Sequence, residues 1–561
     1  MAKKSPNRYW RPGKKHKAEA PVIIPEGATA RIVRNELDAK LHTRWEPVRE
    51  AVNRLLRYRV EGYYFMPLYK AGKWDGYIRL LKRDGTFPGG LADRAVAHLR
   101  GQGVVVEYED RTLPLEGEPQ LAGGTSDLDL RPYQVEAVNR AIEHGRGVFE
   151  SATGTGKTVI LGEVIRRDAA RSLIMVASRD LAHQTIERFQ DSLAFPHSRE
   201  PLYGIVGDNI DQRGLITAAL YQTLARRLTP TCSSCGEAGE RDKRYCRRTY
   251  ADSQARPRKC HGLLDYSDVE SVEAWLATIE AIHLDETHRV AAETWWPVVN
   301  ACPAPRRYGY SATAFKSDKA TELKVVGATG EIIFSFSATA AIEEGYLTRP
   351  YVVFIDAEFP PFSEDFSFKW AYDEGIVRHE GRNRLIVEIA ATVAGKWKAP
   401  TLILLQRIEQ GRWLERNLRQ AGLEAEFVPG SGTGTDERKT LLRALARGKI
   451  DVLIGTTWLD EGVDVPEIGA LILAGGMRAH HKQIQRIGRG LRLSEGKDYL
   501  PTFDFNDSHS LKLLDHSEER REAVRKAGYS CNILPVSELR ARLAAGDLRT
   551  PQARETWGHR S

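Results

Sequence analysis

The chain contains no apolar run near the roughly 18 residues that a membrane-spanning helix requires, and no apolar stretch follows its basic start. A helical membrane protein is not expected, and neither is a secretory leader. It also lacks a short-period repeat and any long low-complexity tract, so solenoids and disordered tails are poor descriptions of most of it. There is no strong excess of charge of one sign: 82 basic residues face 75 acidic ones, a net of +7. That balance is compatible with nucleic acid without requiring it. Cysteine is sparse, with six in 561 residues, which excludes a disulfide-built scaffold.

What is present is ordinary core-forming composition, 42% hydrophobic and 8% aromatic, over a length that allows three or four domains. Residues 1–20 read as a basic, disordered arm, with Lys3, Lys4, Arg8, Arg11, Lys14, Lys15 and Lys17 ahead of the first acid, Glu19. Residues 21–115 form a first α+β module. In it, Glu46–Val60 reads as an amphipathic helix and Tyr63–Leu81 as paired strands around Ala71–Gly76. Ala92–Gly101 reads as a second helix. Residues 116–127, rich in Gly and Pro, suggest a linker.

Beyond the linker, short apolar runs alternate with helical stretches. The first series is Gly147–Glu150, Leu173–Ala177, Leu215–Ala219, Ala281–Leu284 and Tyr308–Ser311. The second is Thr401–Leu405, Ala425–Val428, Val452–Gly455 and Ala470–Ala474. Such alternation predicts parallel sheets covered by helices, here in two domains over 128–350 and 351–505. Residues 506–561 read as a charged helical extension, including Ser517–Ala527 and Ser537–Ala545.

Ser151-Ala-Thr-Gly-Thr-Gly-Lys-Thr158 follows the Val148–Glu150 strand and precedes a helix. Backbone N–H groups of a glycine loop and the helix N-terminus stabilise phosphate charge. Gly154, Thr155 and Gly156 supply the loop. Lys157 is placed to meet the β- and γ-phosphates, and Thr158 to ligate Mg²⁺. Ser151 stands where the strict pattern has glycine. The partner of such a loop is an acid at the end of a buried strand, and Ala281-Ile-His-Leu-Asp285-Glu286-Thr-His288 fits. Asp285 would hold Mg²⁺, and Glu286 would orient and deprotonate the attacking water.

The order Arg131-Pro-Tyr-Gln134, Ala152–Thr158, Asp285–His288, Ser311-Ala-Thr313, Gly455–Pro466 and Gln485–Arg492 resembles the motif series of superfamily 2 helicases. The resemblance implies two tandem RecA-like parallel-sheet motor domains, ATP and Mg²⁺ as cofactors, and ATP-dependent movement on nucleic acid. By this likeness Arg131 and Gln134 belong to the nucleotide site, with Gln134 reading adenine. Ser311-Ala-Thr313 would couple hydrolysis to movement. Gln485 would meet the motor interface, with Arg486 close to the acidic motif, and Arg489 and Arg492 would act as arginine fingers on the γ-phosphate. A positioned guanidinium of that kind is worth about 10³–10⁵ in rate. The strand-tracking surface implied by the likeness includes Arg179, Tyr221-Gln222-Thr223, Thr456-Thr457 and Asp460–Asp464. Gly430, Arg438 and Gly448 also sit as they do in the family's second motor domain.

Within the first module, Gly62–Pro67, Trp74–Leu81 and Phe87–Leu91 resemble the N-terminal domain of phage UvsW-type helicases, which migrate DNA branches. Lys70, Lys73, Arg79, Lys82 and Arg83 interleave with aromatics including Trp74, as on a nucleic-acid surface, while Tyr64, Phe65 and Trp74 can equally be module core. The expectation is a cytoplasmic ATP-dependent helicase or translocase acting on single-stranded, forked or junction DNA in recombination, repair or fork processing. Its setting would be a bacterium or a phage-infected host. The rivals are an RNA helicase with the same motor and a non-catalytic DNA-binding scaffold.

Cys232-Ser-Ser-Cys235-Gly236 has the tight turn of a zinc knuckle, and Cys246 and Cys260 follow after ten and thirteen intervening residues. These four suit tetrahedral Zn²⁺, with His261 as an alternative fourth ligand. The segment 229–262 reads as an insertion in the first motor domain.

Overall fold

The computed structural model describes residues 20–548 except 197, 208, 242, 252–256, 293, 314, 316–317, 362–365, 431–434, 457–467, 477–486, 489, 492–498 and 530. The basic arm lies outside the described residues. The chain forms two compact units, Met1–Leu113 and Pro114–Ser561.

The first unit is a four-stranded sheet in the order Thr86–Pro88, Asp38–His42, Thr29–Arg34, Val105–Asp110. Helices Glu46–Leu55 and Ala92–Gly101 pack together against it, burying Val48, Val52, Ala95 and Leu99. Two expectations need correcting here. The first helix stops at Leu55, and Arg57–Arg59 turns to pair with Tyr77–Arg79, with Tyr58 pointing inward. Tyr63–Leu81 is not a hairpin. Gly62 adopts φ +69°, Tyr63–Phe65 makes a 3₁₀ turn, and Pro67 opens a short helix to Lys70. Proline favours the first helical position because its missing N–H would be unsatisfied there anyway. Only the second half of that segment stays extended, so its partner comes from before the turn.

Among the described residues the second unit holds two large sheets, besides three two-stranded pairings. The first has eight strands in the order Ile210–Gln212, Tyr203–Gly207, Ile216–Leu220, Ser172–Val176, Ala281–Asp285, Arg306–Ser311, Arg146–Ser151, Ile332–Phe336. All pairs in it are parallel except Ile210–Gln212 with Tyr203–Gly207. The second has seven parallel strands in the order Ala425–Val428, Val452–Gly455, Thr401–Leu404, Ala470–Leu473, Tyr499–Phe505, Arg349–Asp356, Cys531–Pro535. The strands are apolar on both faces because helices cover both sides. These are two α/β lobes, each built on a largely parallel sheet, as the alternating pattern predicts.

Two boundaries differ from the sequence reading. Residues 116–127 do not span a gap. Leu121 is buried in the first-lobe core, Gly117 N–H donates to Glu280 Oε1 at 2.9 Å, and Thr125–Ser126 pairs with Leu193–Ala194. The C-terminal stretch is not a separate helical extension either. Cys531–Pro535 closes the edge of the second sheet, and Leu539 and Leu543 of the helix Val536–Ala545 enter that lobe's core.

Candidate active site

The phosphate loop is shaped by its glycines. Gly154 (φ +88°) and Gly156 (φ +83°) take left-handed conformations that side chains resist. A Cβ on Gly156 would lie 2.5 Å from Gln134 Nε2, so the loop and the Gln134 amide require each other's shape. Gln134 is buried and braced. Its Oε1 accepts from Arg131 N–H at 3.0 Å, and its Nε2 donates to Thr155 O at 3.1 Å. Tyr133 O–H donates to the same carbonyl at 2.6 Å, and its ring stacks on Phe336 at 4.1 Å. The Arg131 guanidinium lies 4.9 Å from the centre of the Tyr346 ring. The expected adenine reader thus also fixes the loop's backbone.

Lys157 opens the helix Lys157–Asp168, and Thr158 is on its first turn. The Lys157 ammonium donates to the Ser151 and Ala152 carbonyls at 3.1 and 3.3 Å. The Ser151 hydroxyl is buried without a hydrogen-bond partner among the described residues. These features suit a polyanion, whose oxygens would draw Lys157 off the carbonyls.

Asp285 ends its strand, beside the loop strand's neighbour Arg306–Ser311. Burial, with the adjacent Glu286 charge, pushes its carboxyl up to about 6, against the pull of Lys157. A divalent cation would reverse that balance, because its charge favours the ionised form. Glu286 sits at φ +52°, uncommon for a residue with a side chain. Its N–H donates to Asp285 Oδ1 at 3.0 Å. Its carboxylate lies 3.3 Å from His288 Nδ1, which also lies 3.1 Å from the Ser311 hydroxyl. The Thr313 N–H donates to that same hydroxyl at 3.3 Å. Close polar contacts through His288 therefore link the acidic motif to the Ser311–Thr313 motif. His283, two residues before Asp285 on the same strand, is buried against Tyr310 O–H at 3.1 Å, and burial holds its pKa down to about 3.

The second lobe meets this loop. Gly488 lies so close that a Cβ there would be 2.8 Å from Thr153 Cβ. Ile487 and Leu491 are buried, and Leu491 O accepts from Thr348 N–H at 2.6 Å. Arg438 reaches across as well: it donates to Gly430 O at 2.9 Å and lies 3.6 Å from Asp180 of the first lobe. Gln485, Arg486, Arg489, Arg492, Thr457 and Asp460–Asp464 lie outside the described residues.

Of the other expected nucleic-acid contacts, Arg179 and Gln222 are exposed at the starts of the helices Arg179–Ser192 and Tyr221–Arg227, with Thr223 beside Gln222 half-buried. Thr456 is buried, so its hydroxyl is not on the surface. In the first unit Lys73 is exposed, while Trp74 is half-buried and donates its indole N–H to Tyr77 O at 2.8 Å. Tyr64 and Phe65 are not core: they are 54% and 67% exposed. Arg57 and Arg59 lie over the Tyr77 ring at 4.3 and 4.6 Å, and Lys70 over Phe65 at 5.9 Å. The interleaving of basic and aromatic residues in the sequence was the available signal for this surface.

Residues 127–316 match the family model of the type III restriction enzyme res subunit, and residues 383–494 that of the helicase conserved C-terminal domain. Residues 46–106 match the N-terminal domain of DNA helicase UvsW. The chain is a superfamily 2 helicase resembling UvsW. It is accordingly an ATP-dependent, nucleic-acid-binding enzyme of a family that uses ATP and Mg²⁺. A helicase of Sulfolobus islandicus filamentous virus is 23% identical over 424 residues, covering 71% of this chain and 69% of the relative. The ATP-dependent DNA helicase uvsW of Enterobacteria phage T4 is 20% identical over 484 residues, covering 81% and 86%. The solved structure of T4 UvsW aligns over 90% of this chain and 99% of its own, at 16% identity and a TM-score of 0.38. Among the described residues no helix is long and apolar enough to cross a membrane.

Proposed function

We propose that this helicase couples ATP hydrolysis to the unwinding or branch migration of forked and junction DNA. The observation that carries the reading is the chain Glu286–His288–Ser311–Thr313, which joins the hydrolytic acid to the motif expected to sense movement. In this reading Gly154, Thr155 and Gly156 present backbone N–H groups to the phosphates, Lys157 neutralises their charge, and Arg131 and Gln134 line the base. Thr158 and Asp285 hold Mg²⁺, which when bound neutralises phosphate charge. Glu286 orients the attacking water and accepts its proton, while His288 holds the Glu286 carboxylate in place. Gln485, Arg489 and Arg492 complete the site from the second lobe.

DNA is favoured over RNA by the match to the UvsW N-terminal domain. Arg179, Gln222 and Thr223 contact the strand from the first lobe and Thr456 backs the track from the second, while Lys73, beside the Trp74-braced turn, adds a contact from the first unit. Opening DNA costs about 1.4 kcal/mol per stacked step. Branch migration re-forms one pair for each it breaks, so the motor mainly supplies direction. Cys232, Cys235, Cys246 and Cys260 hold a structural Zn²⁺.

The test is ATP hydrolysis with single-stranded DNA, forked DNA and RNA, on the wild type and Lys157→Ala. Forked DNA is expected to stimulate most, and Lys157→Ala to abolish the stimulation. Equal stimulation by RNA would refute the DNA assignment. Unchanged hydrolysis in Lys157→Ala would refute the site.

A further inference from the structure

The segment 229–262 leaves the first lobe directly after the helix Tyr221–Arg227 and returns into the helix Ser267–Leu276. Its backbone closes on itself: Thr231–Cys232 pairs with Leu264–Asp265, and Thr249–Ala251 with Pro257–Lys259. The four cysteine sulfurs lie within 4.8 Å of one another, Cys232 and Cys260 at 3.5 Å and Cys235 and Cys246 at 3.9 Å. His261 is exposed and is not part of the group. A Cβ on Gly262 would lie 2.7 Å from Cys232 Sγ, so that position admits glycine alone without displacement.

The apolar core of this element is Cys232, Cys246, Cys260 and Leu264, with Tyr266 against it. A core that small does not offset the ordering of some thirty residues, at roughly 1 kcal/mol or more of backbone entropy each. Tetrahedral coordination by four cysteines supplies the missing stabilisation.

The charge is as uneven as the packing. Residues 229–262 carry eight basic residues against four acidic ones, a net +4 of the chain's +7. Several cations serve the scaffold: Arg227 at its base bridges Asp211 and Asp268, Arg241 pairs with Glu273, and Arg248 with Glu237. Arg244, Arg247, Arg258 and Lys259 are exposed. The base of the element follows Gln222 and Thr223 in the same short helix.

We infer that the cysteine-clamped insert is a cationic arm that adds a nucleic-acid phosphate contact beside the first lobe's strand-tracking loops. This rests on the zinc and helicase readings above. The metal fixes the hairpin, and the hairpin presents the charge.

The test uses the full chain purified without chelator. Zinc is measured by mass spectrometry, and nucleotide-free binding to a fluorescent forked DNA is followed across a salt series. Wild type is expected to carry one zinc per chain. The triple variant Arg247→Ala, Arg258→Ala, Lys259→Ala is expected to keep zinc, to bind roughly tenfold more weakly at 0.1 M salt, and to lower the log–log salt slope by about 2. Cys232→Ser with Cys235→Ser is expected to lose zinc and weaken binding similarly. Zinc-free wild type, or a zinc-loaded triple variant with unchanged affinity and slope, would overturn the inference. The Lys157→Ala ATPase result reports on the motor separately, so the two readings fail independently.

Discussion

Replacing Ser311 by alanine removes the joint of the Glu286–His288–Ser311–Thr313 chain while sparing every group expected to touch ATP. Ser311 is fully buried, and its hydroxyl serves both His288 Nδ1 at 3.1 Å and Thr313 N–H at 3.3 Å. A neutral hydrogen bond contributes about 1 kcal/mol net, and leaving a buried polar group without its partner costs about 1–3 kcal/mol. The variant should therefore lose about 2–3 kcal/mol, about 4–12 °C in melting temperature for a lobe of this size. His288 keeps its contact with Glu286, so the acid stays in place for basal hydrolysis. What is lost is the tie to Thr313. Nucleic-acid-stimulated kcat should fall about 10–100-fold, equivalent to about 1.4–2.8 kcal/mol, with little change in DNA-free turnover. The assay is ATP hydrolysis with and without forked DNA, alongside thermal melting. An equal loss in both conditions would place Ser311 in the chemistry rather than in coupling. Wild-type stimulation would sink the argument altogether.

Gly488→Ala should press on Thr153, whose Cβ lies 2.8 Å from the position of the new Cβ. ATP turnover should fall roughly tenfold or more through misplacement of the second lobe, with no loss in melting temperature. Arg520 is buried and paired with Asp504 and Asp507, and Asp507 also binds buried Arg382 at 2.9 Å. Arg520→Met should cost about 3–5 kcal/mol in urea unfolding, because buried Asp504 loses its paired cation while Asp507 keeps only Arg382. Burial pushes the Asp168 carboxyl up to about 6, against Arg306 and the Tyr308 hydroxyl. Its folded pKa exceeds the unfolded one, so the associated stability is present below about pH 4 and is lost as pH rises through 6. The loss should approach 3 kcal/mol by pH 7, and Asp168→Asn should remove that slope in unfolding measured from pH 4 to 7.

Much of this was legible because the chemistry is local. The phosphate loop needs consecutive residues, and Asp285-Glu286 follows an apolar strand that reads as buried. Other elements hid for identifiable reasons. Tyr203–Gly207 has two glycines and reads poorly as a strand, yet Gly204 is required, since a Cβ would lie 2.3 Å from Gln212 O. Tyr499–Phe505 contains Pro501, which argues against a central strand. Its pairing with Ala470–Leu473 covers only Thr502 and Phe503, leaving the proline beyond that ladder. The hairpin expected at Tyr63–Leu81 failed because its first half folds into a 3₁₀ turn and a proline-started helix, leaving Tyr77–Arg79 to pair with Arg57–Arg59 in a two-stranded sheet of its own.

By itself the sequence determined the motor's chemistry, two alternating α/β lobes and a four-cysteine insert, because each depends on spacing along the chain. Only the tertiary structure decided that Ser311 joins His288, that Gly488 meets Thr153, and that Arg382 and Arg520 share Asp507. It likewise decided that Cys531–Pro535 closes the second sheet. Those relations link residues up to 335 positions apart (Thr153 and Gly488), and burial and close approach at that separation leave no periodic trace in the chain.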